Sequence, residues 1–368
     1  MDPTKASCPN PECPMHGQTE QGNIALHSKK EKRWRCRKCR RTFAATRGTI
    51  FFRRKYDHQF ISDMVSLMAY GCPPAAIEKT YGLDERTVAD WQQAAGTHCQ
   101  ALHEHLLNPM DLGQVQADEM RVKAQGGILW MALAICVSTR LWLGGVVSRH
   151  RDKYLIRALA LKVRACALCR PLLVVFDGFA AYVKAFRKAF RSPLHTGKRG
   201  RPALLEWPCV IFGQVIKSRQ GRKLKQVTRR IVERGRLLLP RRQTPEQDRA
   251  QAAALLKVTQ GGGTLNTSYI ERLNATFRSR LCALVRQTRS LVREPVTLER
   301  SMYLVGCVYN FCTFHESVSL PLVISTGYAE RVRQVRRTPA MAACLSDHRW
   351  SVFELLSYRL SSDLRLHG

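Results

Sequence analysis

The chain has 368 residues, 45% hydrophobic and 24% charged, with 23 Gly and 16 Pro, a balance that excludes a disordered or fibrous polypeptide. Against 28 Asp and Glu stand 60 Lys and Arg, a net charge of +32. A positive field of that size excludes a small neutral or cationic molecule as the main partner and points to a polyanion, with nucleic acid first.

The length predicts two or three folded units. The polar start MDPTKASCPN lacks the apolar core of a secretory signal, so the expectation is a cytoplasmic, nucleoid-associated chain with reduced thiols. The most apolar stretch, residues 127–147, is interrupted by Ser138, Thr139 and Arg140. It reads as two strands and a turn, with no membrane partner.

Residues 1–55 are expected to form a zinc-ribbon module. Cys8-x4-Cys13 and Cys36-x2-Cys39 give two short loops, each able to aim a pair of thiolates at one structural Zn²⁺. His16 is the alternative to Cys8 as fourth ligand. So short a segment has too little apolar material to fold without the metal. Residues 29–55 carry 13 basic side chains and one acid, interleaved with Trp34, Phe43, Phe51 and Phe52, which suits phosphate contact as well as a solvated basic face.

Residues 56–110 read as a helix-turn-helix domain. Phe60, Ile61, Met64, Val65 and Met68 recur at helical spacing, a second short helix spans 74–81, and Asp84 caps a third over 85–95. Val88, Trp91 and Ala95 form its inner stripe. Arg86, Thr87, Asp90 and Gln93 then face outward, and Arg86, Thr87 and Gln93 are the candidate DNA contacts in a major groove.

From residue 111 to 368 the pattern becomes α/β. VQADEMRVK, GILWMALAICV and LWLGGVVS predict three consecutive antiparallel strands. A helix capped by Asp152, the buried strand PLLVVFDG and a helix over 178–190 follow. Three strands, helix, strand, helix is the order of an RNase H-like fold, a mixed sheet with flanking helices. Such a core would bring Asp118 in the first strand beside Asp177 at the end of the fourth. Paired carboxylates repel unless a cation lies between them, and Mg²⁺ or Mn²⁺ fits that demand. Asp177 could instead cap the helix after it. Glu119 competes with Asp118, but adjacent strand residues face opposite sides.

NTSYIERLNATFRSRL supplies a third acid. On a helix Glu271, Asn274 and Arg278 share one stripe, beside an apolar stripe of Ile270, Leu273, Phe277 and Leu281. Asn274 and Arg278 are therefore further candidate DNA contacts. A solvated amphipathic helix is the bland alternative.

ADE at Asp118, VVFDGFAAY at Asp177 and NTSYIERLNATFR at Glu271 resemble the acid motifs of DDE transposases of the insertion-sequence-one (InsA/InsB-type) family. The CPNPEC…RCRKCRRTF ribbon, VYNFCTFHESVSL and TPAMAACLSDHRW resemble its long single-frame members. The resemblance implies that Asp118, Asp177 and Glu271 are catalytic ligands for two Mg²⁺ or Mn²⁺ ions and that Arg278 is the basic residue following the acid. It implies further that the N-terminal third binds terminal repeats, and that the partners are double-stranded DNA, transposon ends and target, with a homo-oligomer on DNA. One departure is the 94 positions between Asp177 and Glu271, which imply a basic insertion at about 194–263. Residues 187–242 hold 17 basic side chains against Glu206 and Glu233.

Two rival readings share these residues: a zinc-ribbon, helix-turn-helix regulator derived from an inactive transposase, and an RNase H-type nuclease without joining activity. Cys166-x2-Cys169 reads as structural. His315 reads as a helix cap, with approach to the active site as the alternative. GQVIKSRQGRK is too poor in Gly for a phosphate loop.

Overall fold

The computed structural model describes residues 3–360 apart from 5, 195, 196, 198, 199, 222, 233–243, 286–290 and 326–329. Arg222, Glu233 and Arg242, which figured in the basic stretch, lie outside the described residues, as do the last eight positions of the tail.

At the N-terminus β1 (Ile24–Ser28), β2 (Arg33–Cys36) and β3 (Thr42–Ala44) form an antiparallel sheet in that order. Trp34 and Phe43 close a small core of their own with the four cysteines. Three helices follow. In α1 (His58–Ala69) the Asp57 carboxylate accepts from the Gln59 and Phe60 amides, satisfying donors that the first turn leaves unpaired. Next, α2 (Pro74–Tyr81) ends on Gly82 at φ 62, a left-handed cap that favours glycine. Finally, α3 (Glu85–Leu106) begins at Asp84 and runs well beyond its expected end at residue 95. The reason is in its stripe. Val88, Trp91 and Ala95 continue at the same spacing into buried Cys99 and Leu102; Gly96 is tolerated within the packed helix, and no proline intervenes before Pro109.

The apolar stretch is indeed two strands. β4 (Gln114–Ala124), β5 (Gly127–Cys136) and β6 (Trp142–Ser148) form an antiparallel meander. Then come α4 (Lys153–Ala165), capped by Asp152, the fully buried β7 (Leu172–Phe176) and α5 (Ala181–Ala189). A hairpin of β8 (Arg191–Leu194) and β9 (Ala203–Glu206) precedes the long pair β10 (Val210–Gln220) and β11 (Lys223–Ile231). The six-stranded mixed sheet has the order β11-β10-β7-β4-β5-β6, with β10 and β4 both parallel to β7. Part of the segment expected as an insertion is thus a strand of the main sheet. Its apolar run buries Ile211, Phe212 and Val215, as a strand covered on both faces must.

Beyond it lie α6 (Pro245–Gln260), which opens on a Thr244–Gln247 capping box, α7 (Ser268–Arg280) and α8 (Pro295–Cys307), which passes into a π-helical turn over Val308–Cys312. An exposed hairpin of β12 (Leu320–Ser325) and β13 (Glu330–Val335) leads to α9 (Pro339–Ala342) and α10 (Val352–Ser357).

On one face of the sheet α4 and α5 bury Leu155, Leu159, Val163, Tyr182 and Phe186. On the other, a single core runs from Ile61, Met64 and Trp91 through Met131 to Phe277 and Met302. The segments expected as separate units at 56–110 and 111–368 therefore share apolar packing. The contact is close at Gly96, where a Cβ would fall 2.5 Å from the Arg300 carbonyl oxygen. The C-terminal end folds back onto the start of the chain: Phe353 stacks on Phe51 at 5.3 Å, and the Arg359 guanidinium lies 4.3 Å from the Trp34 ring centroid. Among the described residues no helix is long and apolar enough to cross a membrane.

Candidate functional site

Two clusters of metal-ligating side chains stand out. In the first, the loops before β1 and after β2 bring Cys8, Cys13, Cys36 and Cys39 together, each sulfur within 4.8 Å of the others. Cys8 Sγ lies 3.5 Å from Cys39 Sγ and Cys13 Sγ 3.9 Å from Cys36 Sγ. A tetrahedral ion with bonds of about 2.3 Å to sulfur sets its ligands about 3.8 Å apart, so the four thiols fit a metal such as zinc. His16 sits in a backbone bridge with Cys8 and is not a member of this group. Burial pushes the Cys8 and Cys13 thiols up. At Cys39 burial acts the same way but is outweighed by the Arg41 backbone amide and the neighbouring thiols, which bring it down to about 7. Thiolates held this close repel one another, and a shared cation would relieve that repulsion.

The second cluster forms at the middle of the sheet. β4 and β7 run parallel with Gln116 opposite Val175, so two residues further along both strands Asp118 and Asp177 lie side by side at the carboxyl end of β7. Carboxylate oxygens of Asp118, Glu119 and Asp177 all fall within 4.8 Å of one another. Adjacent strand residues do face opposite sides here, yet Glu119 still brings an oxygen to the group. Its carboxylate accepts from Tyr182 Oη of α5 at 2.6 Å and from Arg151 Nε at 2.6 Å. Arg151 is itself held over the Phe179 ring at 4.3 Å and the Trp130 ring at 5.2 Å.

Asp118 is pushed up to about 7, first by burial and then by the negative charges of Glu119 and Asp177, with Glu271 adding less. Asp177 does not cap α5, which starts four residues later. Its Oδ1 accepts from the Phe179 amide at 2.9 Å and closes a turn that delays the helix.

Asp118, Asp177 and Glu271 line one open cleft of about 410 Å³ together with Arg151, Lys217 and Thr267. Glu271 shares the cleft but not the tight oxygen group. Its Oε1 accepts from Lys217 Nζ of β10 at 2.5 Å and from Thr267 Oγ1 at 2.8 Å. The helix that carries it is docked by a strand side chain. Gln116 Oε1 accepts from the Tyr269 and Ile270 amides at 3.1 and 3.0 Å, and Gln116 Nε2 donates to the Asn266 carbonyl at 2.8 Å. This serves as the N-terminal cap of α7, whose own Thr267 side chain provides none.

The proposed DNA contacts divide. Arg86 and Gln93 are exposed on α3, Thr87 is half-buried, and Asp90 is ion-paired with Arg54 rather than presented to a groove. Arg278 is exposed on α7. Asn274 is not a DNA contact: it is 1% exposed, and its Nδ2 donates to Asp118 Oδ2 at 2.8 Å because its stripe of the helix faces β4. His315 does not cap the apolar helix before it; it stands at the start of a 3-10 turn over Glu316–Val318 without a side-chain capping bond. Its Nδ1 pairs with Ser317 Oγ at 3.0 Å, while Thr313 closes the preceding π turn. Cys166 is buried at the end of α4, and Cys169 is exposed with its sulfur 3.5 Å from that of Cys209.

Sequence reasoning did not reach Gln116, Arg151, Tyr182 or Lys217. Gln116, third in β4, stands among other polar side chains of that strand, Gln114 and four charged residues, so the sequence did not single it out; only its burial shows that its amide needs partners. Nothing local marked Lys217 or Arg151, whose partners are 54 and 32 residues away. No protein-family model matches the chain, and none of the curated proteins matches it.

Proposed function

We propose that the protein is a DDE transposase, with an RNase H-like catalytic sheet, that binds transposon ends and carries out divalent-metal-dependent DNA strand cleavage and strand transfer. The observation that carries this reading is the pairing of Asp118 and Asp177 on adjacent parallel strands, with Glu271 across the same cleft. The strand order around them supports it too. Taking β4 as the first strand, β6-β5-β4-β7-β10 is an order 3-2-1-4-5 with only the second strand antiparallel to the rest, as in RNase H-like cores.

Asp118 and Asp177 would hold Mg²⁺ or Mn²⁺ with Glu271; burial and then the neighbouring negative charges raise Asp118, and a cation between the carboxylates would relieve both. Bound ions would supply Lewis acidity to water, to the attacking 3′-OH and to the leaving oxygen. Asn274 fixes the Asp118 carboxylate, Thr267 and Lys217 hold Glu271, and Glu119 with Tyr182 fixes Arg151 at the cleft wall, where a guanidinium suits a phosphate. The four cysteines would hold one structural Zn²⁺ and keep the basic N-terminal sheet folded. The net charge of +32 supports a DNA partner.

The test is incubation of the protein with pre-cut transposon-like ends, a target plasmid and Mg²⁺. Joined products distinguish a transposase from a plain nuclease and from a DNA-binding regulator. Asp177→Asn should abolish cleavage and joining while leaving duplex binding within about twofold; normal cleavage by that variant would overturn the assignment.

A further inference from the structure

We propose that a small basic pocket beside α7, built by Arg140, Tyr269, Arg272, Tyr309, His315 and Ser317, is a binding site for a single phosphate group. The pocket has a volume of about 80 Å³, close to what one tetrahedral oxyanion fills. Two guanidiniums, an imidazole and four hydroxyls, Thr276 supplying the fourth, line it beside the apolar Ile135 and Leu273, and among the described residues no carboxylate does.

Arg140 is its floor. It stands in the turn between β5 and β6 at φ 60, a left-handed conformation uncommon for a residue with a side chain. The Tyr309 hydroxyl donates to its carbonyl at 3.0 Å, its Nε donates to Ser317 Oγ at 3.0 Å, and its guanidinium lies 4.2 Å from the Tyr269 ring centroid. Its Nη1 is nevertheless buried without a hydrogen-bond partner. A buried, unpaired cationic donor costs free energy that an anion would recover. The local potential agrees. His315 is held below its ordinary value by burial and then by the charges of Arg140 and Arg272, which outweigh the opposing charge of Glu316.

On α7, Tyr269, Arg272 and Thr276 share a stripe next to the one that carries Glu271, Asn274 and Arg278. One helix thus presents an acid to the cleft and a cation to this pocket. A free phosphate and a backbone phosphate of DNA offer the same chemistry to the site.

Full-length protein labelled at the histidine Cε1 positions separates the two sources by NMR, with His315→Gln assigning the resonance. Inorganic phosphate is titrated in one arm and a short DNA duplex in the other. A saturable shift of the His315 signal in either arm supports the site and names its source, and Arg272→Gln should weaken that response at least fivefold. If DNA is the source, the same exposed substitution should also make the dependence of duplex affinity on salt shallower by about one unit of log–log slope. A His315 signal unmoved by both probes, in a protein of unchanged circular dichroism, overturns the proposal. The outcome is independent of the carboxylate cleft, since Asp177→Asn leaves every pocket residue in place.

Discussion

Asn274 on α7 donates to the Asp118 carboxylate on β4 at 2.8 Å across 156 residues of sequence. A neutral amide is the suitable partner there, since a cation would compete with a metal ion and an acid would deepen the repulsion that already raises Asp118.

Replacing Asn274 with Ala is therefore expected to lower metal-dependent cleavage by about 10- to 100-fold, the usual effect of removing a group that orients a ligand. Duplex affinity, read by fluorescence anisotropy without metal, should stay unchanged. A large loss of affinity with normal cleavage would restore Asn274 as a DNA contact.

Gln116→Leu removes the acceptor for two amides at the start of α7. We expect a loss of about 2–4 kcal/mol in stability from the unpaired Tyr269 and Ile270 N–H groups, measured by urea unfolding. Hydrogen exchange should accelerate at residues 268–272 before it does in β4.

Removing metal from the cysteine cluster should unfold the N-terminal sheet while sparing the six-stranded one. Elemental analysis is expected to give one zinc per chain. After chelation, four additional thiols should react with a colorimetric thiol reagent, and Cys36→Ser should weaken duplex binding. A chain that carries no metal yet keeps β1–β3 intact would refute this.

His103 gives a pH dependence. It is buried against Trp142 at 4.6 Å, with Nε2 3.2 Å from the Leu143 carbonyl oxygen. Burial first, and Lys162 second, hold it down at about 3 despite the Leu143 carbonyl, against an ordinary 6.5. Below 6.5 the unfolded chain takes up a proton that the folded chain refuses. Its contribution is thus complete above 6.5 and is lost towards 3, at up to about 1.4 kcal/mol per pH unit. His103→Gln should flatten the acid limb of stability against pH; an unaltered slope would exclude this origin.

The local parts of this architecture were legible in the sequence. Paired cysteines, the Asp84 and Asp152 caps, and the apolar runs of β5 and β6 are decided within a few residues of each other. Asp118 and Asp177 could be anticipated as neighbours because sheet order constrains them. What escaped depends on distant pairing. The apolar run of β10 looked like an inserted hairpin because only its bonds to β7, nearly 40 positions earlier, make it a sheet strand. Asn274 was assigned to DNA because helical spacing gives a stripe but not the surface that the stripe meets. Lys217 and Arg151 are surface-type residues by composition, and only the folded sheet turns them toward carboxylates.

The near-contact of Gly96 with Arg300 leaves no room for a side chain, and therefore little for a joint. Helix α3 packs on α8, and α8 on β6, an edge strand of the sheet whose inner strands carry Asp118 and Asp177. On the proposed reading, a duplex held by the first hundred residues would reach the cleft at one fixed span, so the scissile bond would be chosen by measured length, as with a ruler.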